Sequence, residues 1–154
     1  MYCIDTSALI YMKNIYDIRV LPSLWKTFGN IAKESNLIIS PSQVLRELEK
    51  RDDELLKWAK EHIPFHNLDH TQQEIVRDIM SRFQTLVDIN SSTQEADPFV
   101  IALAKSKNCK VVTQESYINR SGPKSKFNIP NVCEELSVRW IRLLELFTEL
   151  KVEI

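Results

Sequence analysis

The chain has 154 residues, of which 44% are hydrophobic and 27% are charged, and its formal net charge is -1. This composition predicts one globular domain over residues 1–154 with a single core, and it excludes a disordered or repetitive chain. The balanced charge argues against stable coating of nucleic acid, which needs a strongly basic surface. It leaves transient binding through a local patch open.

Three scattered cysteines without a CxxC pair indicate reduced thiols, and we expect a cytoplasmic protein. No apolar run approaches the ~20 residues of a membrane helix, and the N-terminus lacks the basic flank of a signal peptide, so no membrane association is expected. A nucleotide-cofactor enzyme is also disfavoured, because the chain has no GxGxxG motif, no P-loop and only two glycines.

Predicted strands and helices alternate along the chain. Short apolar runs predict strands at 2–4, 37–39, 110–113, 128–130 and 138–141. Capped or amphipathic segments predict helices at 6–12, 23–34, 41–48, 52–59, 71–83, 97–108 and 143–150. The connections are 14–22, 63–70, 90–95 and 114–127. Such alternation predicts an α/β fold, a three-layer α/β/α sandwich whose helices cover both faces of a central parallel sheet.

Four acids are predicted at the carboxyl edge of this sheet. Asp5 follows the first strand and Glu47 lies near the start of the helix after the second. Asp97 begins the helix that leads into the third strand, and Glu115 follows that strand. Because like charges at one edge raise each other's pKa unless a cation binds between them, the pattern indicates a site for Mg²⁺ or Mn²⁺, which prefer carboxylate oxygens.

Each acid also has a structural interpretation. Asp5 or Thr6 would serve as N-cap of the first helix, and Asp97 before a proline is a good N-cap as well. Glu47 and Glu49 both flank the apolar stripe of their helix, so helix geometry does not choose between them.

Hydroxyl and basic side chains near these acids are candidates for supporting roles. Ser7 and Thr113 are predicted to hydrogen-bond a carboxylate or a bound water, with turn formation as the alternative. Three basic residues of the 114–127 connection are candidates for phosphate binding, with a solvated loop as the alternative: Arg120, Lys124 and Lys126.

The three histidines suggest a competing metal site. His62, His66 and His70 recur at every fourth residue and would form one face of a continuous helix, a pattern that suits zinc. Pro64 interrupts that helix and no cysteine is near, so zinc is the weaker interpretation.

Four segments in this order resemble the acidic motifs of PIN domains. They are residues 5–10 (DTSALI), 43–48 (QVLREL), 97–104 (DPFVIALA) and 111–115 (VVTQE). Residues 129–133 (IPNVC) and the preceding lysine-rich segment look like a prokaryotic PIN-like subfamily that resembles VapC-type toxin ribonucleases. The resemblance runs along nearly the whole chain.

This resemblance implies an activity and a site. It selects Glu47 rather than Glu49, and it implies that Asp5, Glu47, Asp97 and Glu115 bind Mg²⁺ or Mn²⁺. The chain would then be a metal-dependent ribonuclease that hydrolyses RNA phosphodiester bonds, the toxin of a toxin-antitoxin pair, with an antitoxin partner and a homodimeric state. Many relatives have aspartate at the position of Glu115. The alternatives are a non-catalytic interaction module with the same fold and a DNA-directed nuclease.

Overall fold

The computed structural model describes residues 1–51, 53–88 and 95–153 of the chain. Within them the strands are β1 (Tyr2–Ile4), β2 (Ile38–Pro41), β3 (Phe65–His66), β4 (Lys110–Val112) and β5 (Trp140–Ile141). The helices are α1 (Thr6–Ile15), α2 (Pro22–Glu34), α3 (Ser42–Glu49), α4 (Asp53–His62), α5 (His70–Arg82), α6 (Asp97–Lys107), α7 (Ile129–Glu135) and α8 (Leu143–Glu149), with a 3₁₀ turn at Gln84–Leu86.

The described strands form one parallel sheet in the order β3-β2-β1-β4-β5. β1 is central, and its residue Cys3 pairs with Ile39 on one side and Val111 on the other. The chain moves from β1 toward β2 and β3, then returns across the sheet to β4 and β5. The strand order therefore reverses between β1 and β4, and a crevice opens at the carboxyl ends of strands at such a reversal.

Helices cover both faces of the sheet, which confirms the predicted three-layer α/β/α sandwich. α5 and α6 pack closely on each other, and α6 also contacts α7 and the central strands β1, β2 and β4. α1, α2, α3 and α4 pack together in the other layer, where Phe147 of α8 meets Phe28 of α2 with ring centroids 5.1 Å apart. Because crossovers between parallel strands are nearly always right-handed, a sheet whose strand order reverses has helices on both faces.

Two predicted segments are wrong in type. Residues 128–130 form the N-cap and first turn of α7 rather than a strand. Pro130 has no backbone N–H, but the first turn of a helix does not use that donor, and the fixed φ of proline suits a helix. The predicted connection at 63–70 contains β3, which pairs with β2 through Phe65 opposite Ser40. With two residues, β3 is too short to show the alternation of apolar and polar residues by which a strand is predicted. α5 already begins at His70, the last residue of that segment.

Several predicted boundaries are also corrected. α2 begins at Pro22, one residue before its predicted start, with Leu21 as its N-cap. β2 extends through Ser40 to Pro41, and the Ser40 hydroxyl donates to the Ile4 carbonyl at 2.7 Å. α5 begins one residue before its predicted start, after a capping box that joins Asp69 to Gln72. α1 continues beyond residue 12 to 15. The predicted connection at 90–95 lies, apart from its last residue, outside the described residues.

The interior is apolar and contains the cysteines. Cys3, Cys109 and Cys133 are buried and unpaired, as expected for reduced thiols. Within the described ranges every helix is too short or too polar to traverse a lipid bilayer.

Candidate active site

Asp5 lies at the carboxyl end of β1, where the strand order reverses. Its carboxyl is only 2% exposed, and its Oδ1 accepts the backbone N–H of Ala8 at 3.0 Å, which makes Asp5 the N-cap of α1. The backbone N–H of Asp5 donates to the Val112 carbonyl at 3.0 Å and ties it to the neighbouring strand. The capping role and a position in the crevice are therefore combined in one side chain.

Ser7 and Thr113 both donate to Asp5, so the structure places these hydroxyls on the carboxylate. Ser7 Oγ lies 2.8 Å from Asp5 Oδ1, and Thr113 Oγ1 lies 2.8 Å from Asp5 Oδ2. Each hydroxyl also accepts a backbone N–H of the segment after β4, from Gln114 to Ser7 and from Glu115 to Thr113. The network fixes Asp5 and the start of that segment together.

Glu47 reaches the crevice from α3. Its Oε1 accepts the backbone N–H of Ala96 at 2.8 Å, immediately before α6 begins. Glu47 thereby holds the start of α6 against α3 with one carboxylate oxygen. Glu49, the other candidate of the sequence, is exposed and does not line the crevice.

Asp97 is the first residue of α6 and is not its N-cap. Ala96 occupies the cap position with helical backbone angles, and no side chain caps this end. Within the described part of the chain, no hydrogen-bond partner of the Asp97 carboxyl is found. The side chain is directed into the crevice, so the structural interpretation of this acid is wrong.

Glu115 enters from the segment after β4. Its Oε1 accepts the backbone N–H of Ile129, the first residue of α7, at 3.2 Å. The loop that carries Glu115 is anchored by Asn131, whose Nδ2 donates to the Ile118 carbonyl at 2.8 Å. The longer arm of glutamate is therefore used to reach a helix start while its carboxyl still lines the crevice.

Sequence reasoning did not assign three polar residues to this crevice, which has a volume of about 210 Å³. Glu95 is a fifth acid, and its Oε2 accepts the backbone N–H of Asp88 at 2.9 Å. Arg51 also lines the crevice. The buried hydroxyl of Thr6 has no hydrogen-bond partner among the described residues, but it is near enough to Glu47 to lower the pKa of that carboxyl. The signal for Glu95 was its place two residues before Asp97.

The four predicted acids, Asp5, Glu47, Asp97 and Glu115, hold protons more tightly than isolated carboxyls. The pKa of Asp5 is raised to about 7, chiefly by burial, against which the hydrogen bonds from Ala8, Ser7 and Thr113 act. Burial is also the main cause of the raised pKa of Glu47, and of Glu115, where Lys126 opposes the shift.

Asp97 feels the combined charge of the cluster most strongly. Its pKa is raised well above the usual value, first by burial and then by the charges of Glu115, Asp5, Glu47 and Glu95. Such mutual repulsion indicates that the acids share one electrostatic environment and that a bound cation would relieve it.

Only one of the three candidate phosphate-binding residues lines the crevice. Lys126 does, whereas Lys124 is exposed elsewhere. The guanidinium of Arg120 lies 3.4 Å from the ring centre of Phe127 and donates to the Ser125 carbonyl from Nε and Nη2 at 3.2 and 2.8 Å. Arg120 therefore stabilises its own loop rather than lining the crevice.

The three histidines lie on three different elements, α4, β3 and α5, and do not form one face. His62 stacks on Trp58 and its Nδ1 contacts the Trp58 carbonyl at 2.8 Å, while His70 contacts Glu74 at 3.2 Å. Across residues 1–51, 53–88 and 95–153, no three acidic, histidine or cysteine side chains stand close enough together to hold a metal ion as they are. The acids of the crevice converge without forming a closed ligand set.

Comparison with known proteins supports this fold. A family profile described as "Domain of unknown function (DUF4411)" matches residues 2–154. No curated protein sequence matches the chain.

Two solved structures with 12% sequence identity share the fold. A PilT N-terminus domain protein from the hyperthermophilic archaeon Sulfolobus solfataricus P2 has a TM-score of 0.51 over 97% of this chain and 92% of that chain. A chain of VapBC2 from Rickettsia felis, solved bound to a DNA fragment from their promoter, has a TM-score of 0.54 over 92% of this chain and 97% of that chain. The chain therefore has the PIN-like α/β/α fold that the four acidic motifs predicted.

Proposed function

The chain belongs to the family described as domain of unknown function DUF4411, and we propose that it is a metal-dependent ribonuclease that hydrolyses RNA phosphodiester bonds. The observation that carries the proposal is the convergence of Asp5, Glu47, Asp97 and Glu115 on one crevice at the reversal of strand order. A purely structural cluster of this kind would oppose folding through its own charge, so a bound partner of opposite charge explains its presence.

The donor set suits Mg²⁺ or Mn²⁺ rather than a softer ion. Carboxylates and one unpartnered hydroxyl, that of Thr6, line the crevice, and these oxygen ligands are the ones hard divalent ions prefer. Asp97 has no competing hydrogen bond within the described residues, and Glu47 and Glu115 each use Oε1 for a backbone contact. Small rotations of these carboxylates would complete the ligand set.

The chain's own residues would divide the work of hydrolysis. Asp5 and Asp97 would hold the cation, and Glu47 and Glu115 would complete that site or a second one. Ser7 and Thr113 keep Asp5 in one orientation by donating to both of its oxygens. The cation, when bound, supplies an acidified water as nucleophile and positive charge opposite the phosphate.

Basic residues at the rim would orient the substrate. Lys126 and Arg51 stand at the edge of the crevice, where they balance the negative charge of Glu115 and Glu47. A lysine or arginine at this place attracts a phosphate and positions the strand without reading its sequence. The preference for RNA over DNA rests on the resemblance of the motifs to those of PIN ribonucleases.

We further infer a biological context, the toxin of a toxin-antitoxin pair that acts in the cytoplasm. The similarity of the fold to a chain of VapBC2 supports an antitoxin partner, and the motif resemblance supports a homodimer. A small protein encoded beside this chain that binds it and abolishes cleavage would be the expected antitoxin.

The test compares wild type, Asp97→Asn and Asp78→Asn. Asp78→Asn is the matched control, because it removes the same charge from an exposed ion pair on α5. Each protein is incubated with mixed cellular RNA and with single-stranded DNA, in Mn²⁺ and in EDTA. We expect wild type and the control to cut RNA only with metal, and Asp97→Asn to cut neither substrate.

Thermal unfolding gives an independent readout. Mn²⁺ at about 100 times its dissociation constant stabilises the protein that binds it by about 2.7 kcal/mol, so the melting temperature of wild type and the control should rise clearly. The rise should be much smaller in Asp97→Asn. Equal rises in all three proteins would place the ion elsewhere, and metal-independent cutting would refute the mechanism. Cutting of DNA alone would identify a DNA-directed nuclease.

A further inference from the structure

A second groove lies beside the acidic crevice, between α3 and α5 and over the start of α6. Its volume is about 540 Å³, which is within the range of ligand sites in proteins. Met80 provides its exposed apolar surface, whereas Leu68, Val76 and Phe99 line the groove as buried residues. Met80 on α5 is 42% exposed.

The groove is basic although the whole chain is slightly acidic. Arg46 on α3 and Arg77 on α5 both line it, and none of the described residues that line it is acidic. Both arginines are exposed, and within the described part of the chain neither makes an ion pair or a hydrogen bond. Two unpaired guanidinium groups in one groove favour a ligand with negative charge, and phosphate matches their planar donor geometry.

Gln43 supplies an independent sign of a missing ligand. The side chain lines the groove and is 92% buried, yet its Oε1 has no hydrogen-bond partner among the described residues. Buried amides are nearly always satisfied, so an unpartnered one at the wall of a groove indicates a donor that is supplied on binding. Rotation of the amide would present either its oxygen or its nitrogen to that ligand.

The groove adjoins the acidic crevice, because α3 and α6 contribute residues to both. Gln43 and Glu47 are four residues apart on α3, about one helical turn, and Arg46 directly precedes Glu47. Phe99 lines the groove two residues after Asp97 on α6. A polymer strand that crosses the crevice would therefore meet the groove next.

We propose that this groove binds a nucleotide of the RNA strand next to the phosphate that is cut. The inference rests on the proposed ribonuclease function. Arg46 and Arg77 pair with backbone phosphates, the Gln43 amide accepts from a base or a ribose hydroxyl, and the apolar surface packs against the base. An acidic peptide would also pair with the arginines, but it would make no use of the position of the groove next to the acidic crevice.

The test measures RNA binding by proteins that cannot cut. In the Asp97→Asn background, the double variant Arg46→Ala/Arg77→Ala is compared with Lys107→Ala/Arg139→Ala, which removes the same charge at the opposite edge of the sheet. The probe is a fluorescein-labelled single-stranded RNA of twelve mixed nucleotides, followed by anisotropy at several salt concentrations.

The groove variant should bind this RNA about tenfold more weakly at 150 mM salt than the control variant does. Its slope of log affinity against log salt should be smaller by about 1.4, since each phosphate contact on a single strand contributes about 0.7. Gln43→Leu should weaken binding without changing the slope. In proteins with Asp97 intact, the groove variant should raise KM about tenfold and leave kcat within about threefold.

The outcomes separate this proposal from the ribonuclease proposal. If RNA binding depends on the two arginines but the protein with Asp97 intact does not cut RNA, the groove proposal is supported and the ribonuclease proposal is refuted. Cutting with the same KM in groove and control variants would support the enzyme and refute the groove. If a polyglutamate peptide rather than RNA loses its binding in the groove variant, the groove is a protein site and the proposal is wrong.

Discussion

Replacement of Asp5 by asparagine tests whether the charge of this buried carboxyl opposes folding. Asparagine is as good an N-cap as aspartate, so the hydrogen bond from Ala8 and the start of α1 should persist. Some of the bonding to the Ser7 and Thr113 hydroxyls changes, because one acceptor oxygen becomes an amide donor. This change contributes a penalty that is nearly independent of pH.

The pH dependence follows from the raised pKa. In the folded, metal-free protein the pKa of Asp5 is about 7, whereas its ordinary value is 3.8. The folded state therefore binds the proton more tightly than the unfolded chain, and the stability that this provides at low pH is lost as pH rises from about 4 to 7. The whole shift corresponds to about 4 kcal/mol, and between pH 5 and pH 8 the loss is about 2.5 kcal/mol.

Asp5→Asn removes this dependence. Measured by urea unfolding in EDTA, the stability of the variant relative to wild type should increase by about 2 to 3 kcal/mol between pH 5 and pH 8. In a chain of this length that corresponds to roughly 5 to 10 °C in melting temperature. A stability difference between the two proteins that is the same at both pH values would refute the reasoning and would leave Asp5 with the capping role alone.

Two further substitutions test the surroundings of the site and the packing beneath it. Thr113→Val removes the hydroxyl that donates to Asp5 with little change of shape, and we expect a loss of about 1 to 3 kcal/mol in urea unfolding together with reduced RNA cleavage. Gly29→Ala would bring its Cβ to 2.6 Å from Cδ2 of His62. To make room, the ring would have to leave its stacking on Trp58 and its contact with the Trp58 carbonyl, so thermal unfolding should show a loss of about 1 to 3 kcal/mol. Gly122→Ala is its control, since nothing lies within 4 Å of the added Cβ, and an equal loss there would contradict the packing argument.

Helices and strands were predicted correctly from the sequence where their apolar patterns extended over many residues. The apolar run of α6 and the period of α5 predicted both helices nearly to their ends. β3 was not predicted, because two residues cannot show the alternation of a strand and this segment is a strand only through its pairing with β2. The start of α7 was predicted as a strand, because Ile129 and Pro130 fit an extended segment equally well. The bond from the Ile129 N–H to Glu115, which marks the start of the helix, has no signal in the sequence.

The acids of the site were predicted, but their contacts were not. Order along the chain placed Asp5, Glu47, Asp97 and Glu115 at one edge, because parallel strands end together. That Glu47 holds the backbone of Ala96, and Glu115 that of Ile129, depends on packing between distant segments and has no sequence signal.

The sequence by itself determined that this chain forms an α/β/α sandwich with acids at the carboxyl edge of its sheet, because strand and helix periods and the residues after each strand are local properties. Tertiary structure alone decided that Asp97 keeps its carboxyl unpartnered among the described residues while Glu47 and Glu115 bind the starts of distant helices. It also decided that Arg46 and Arg77, thirty-one residues apart, share one groove with a buried amide. Burial and the approach of distant groups set charge and hydrogen bonding, and both arise only when the layers pack together.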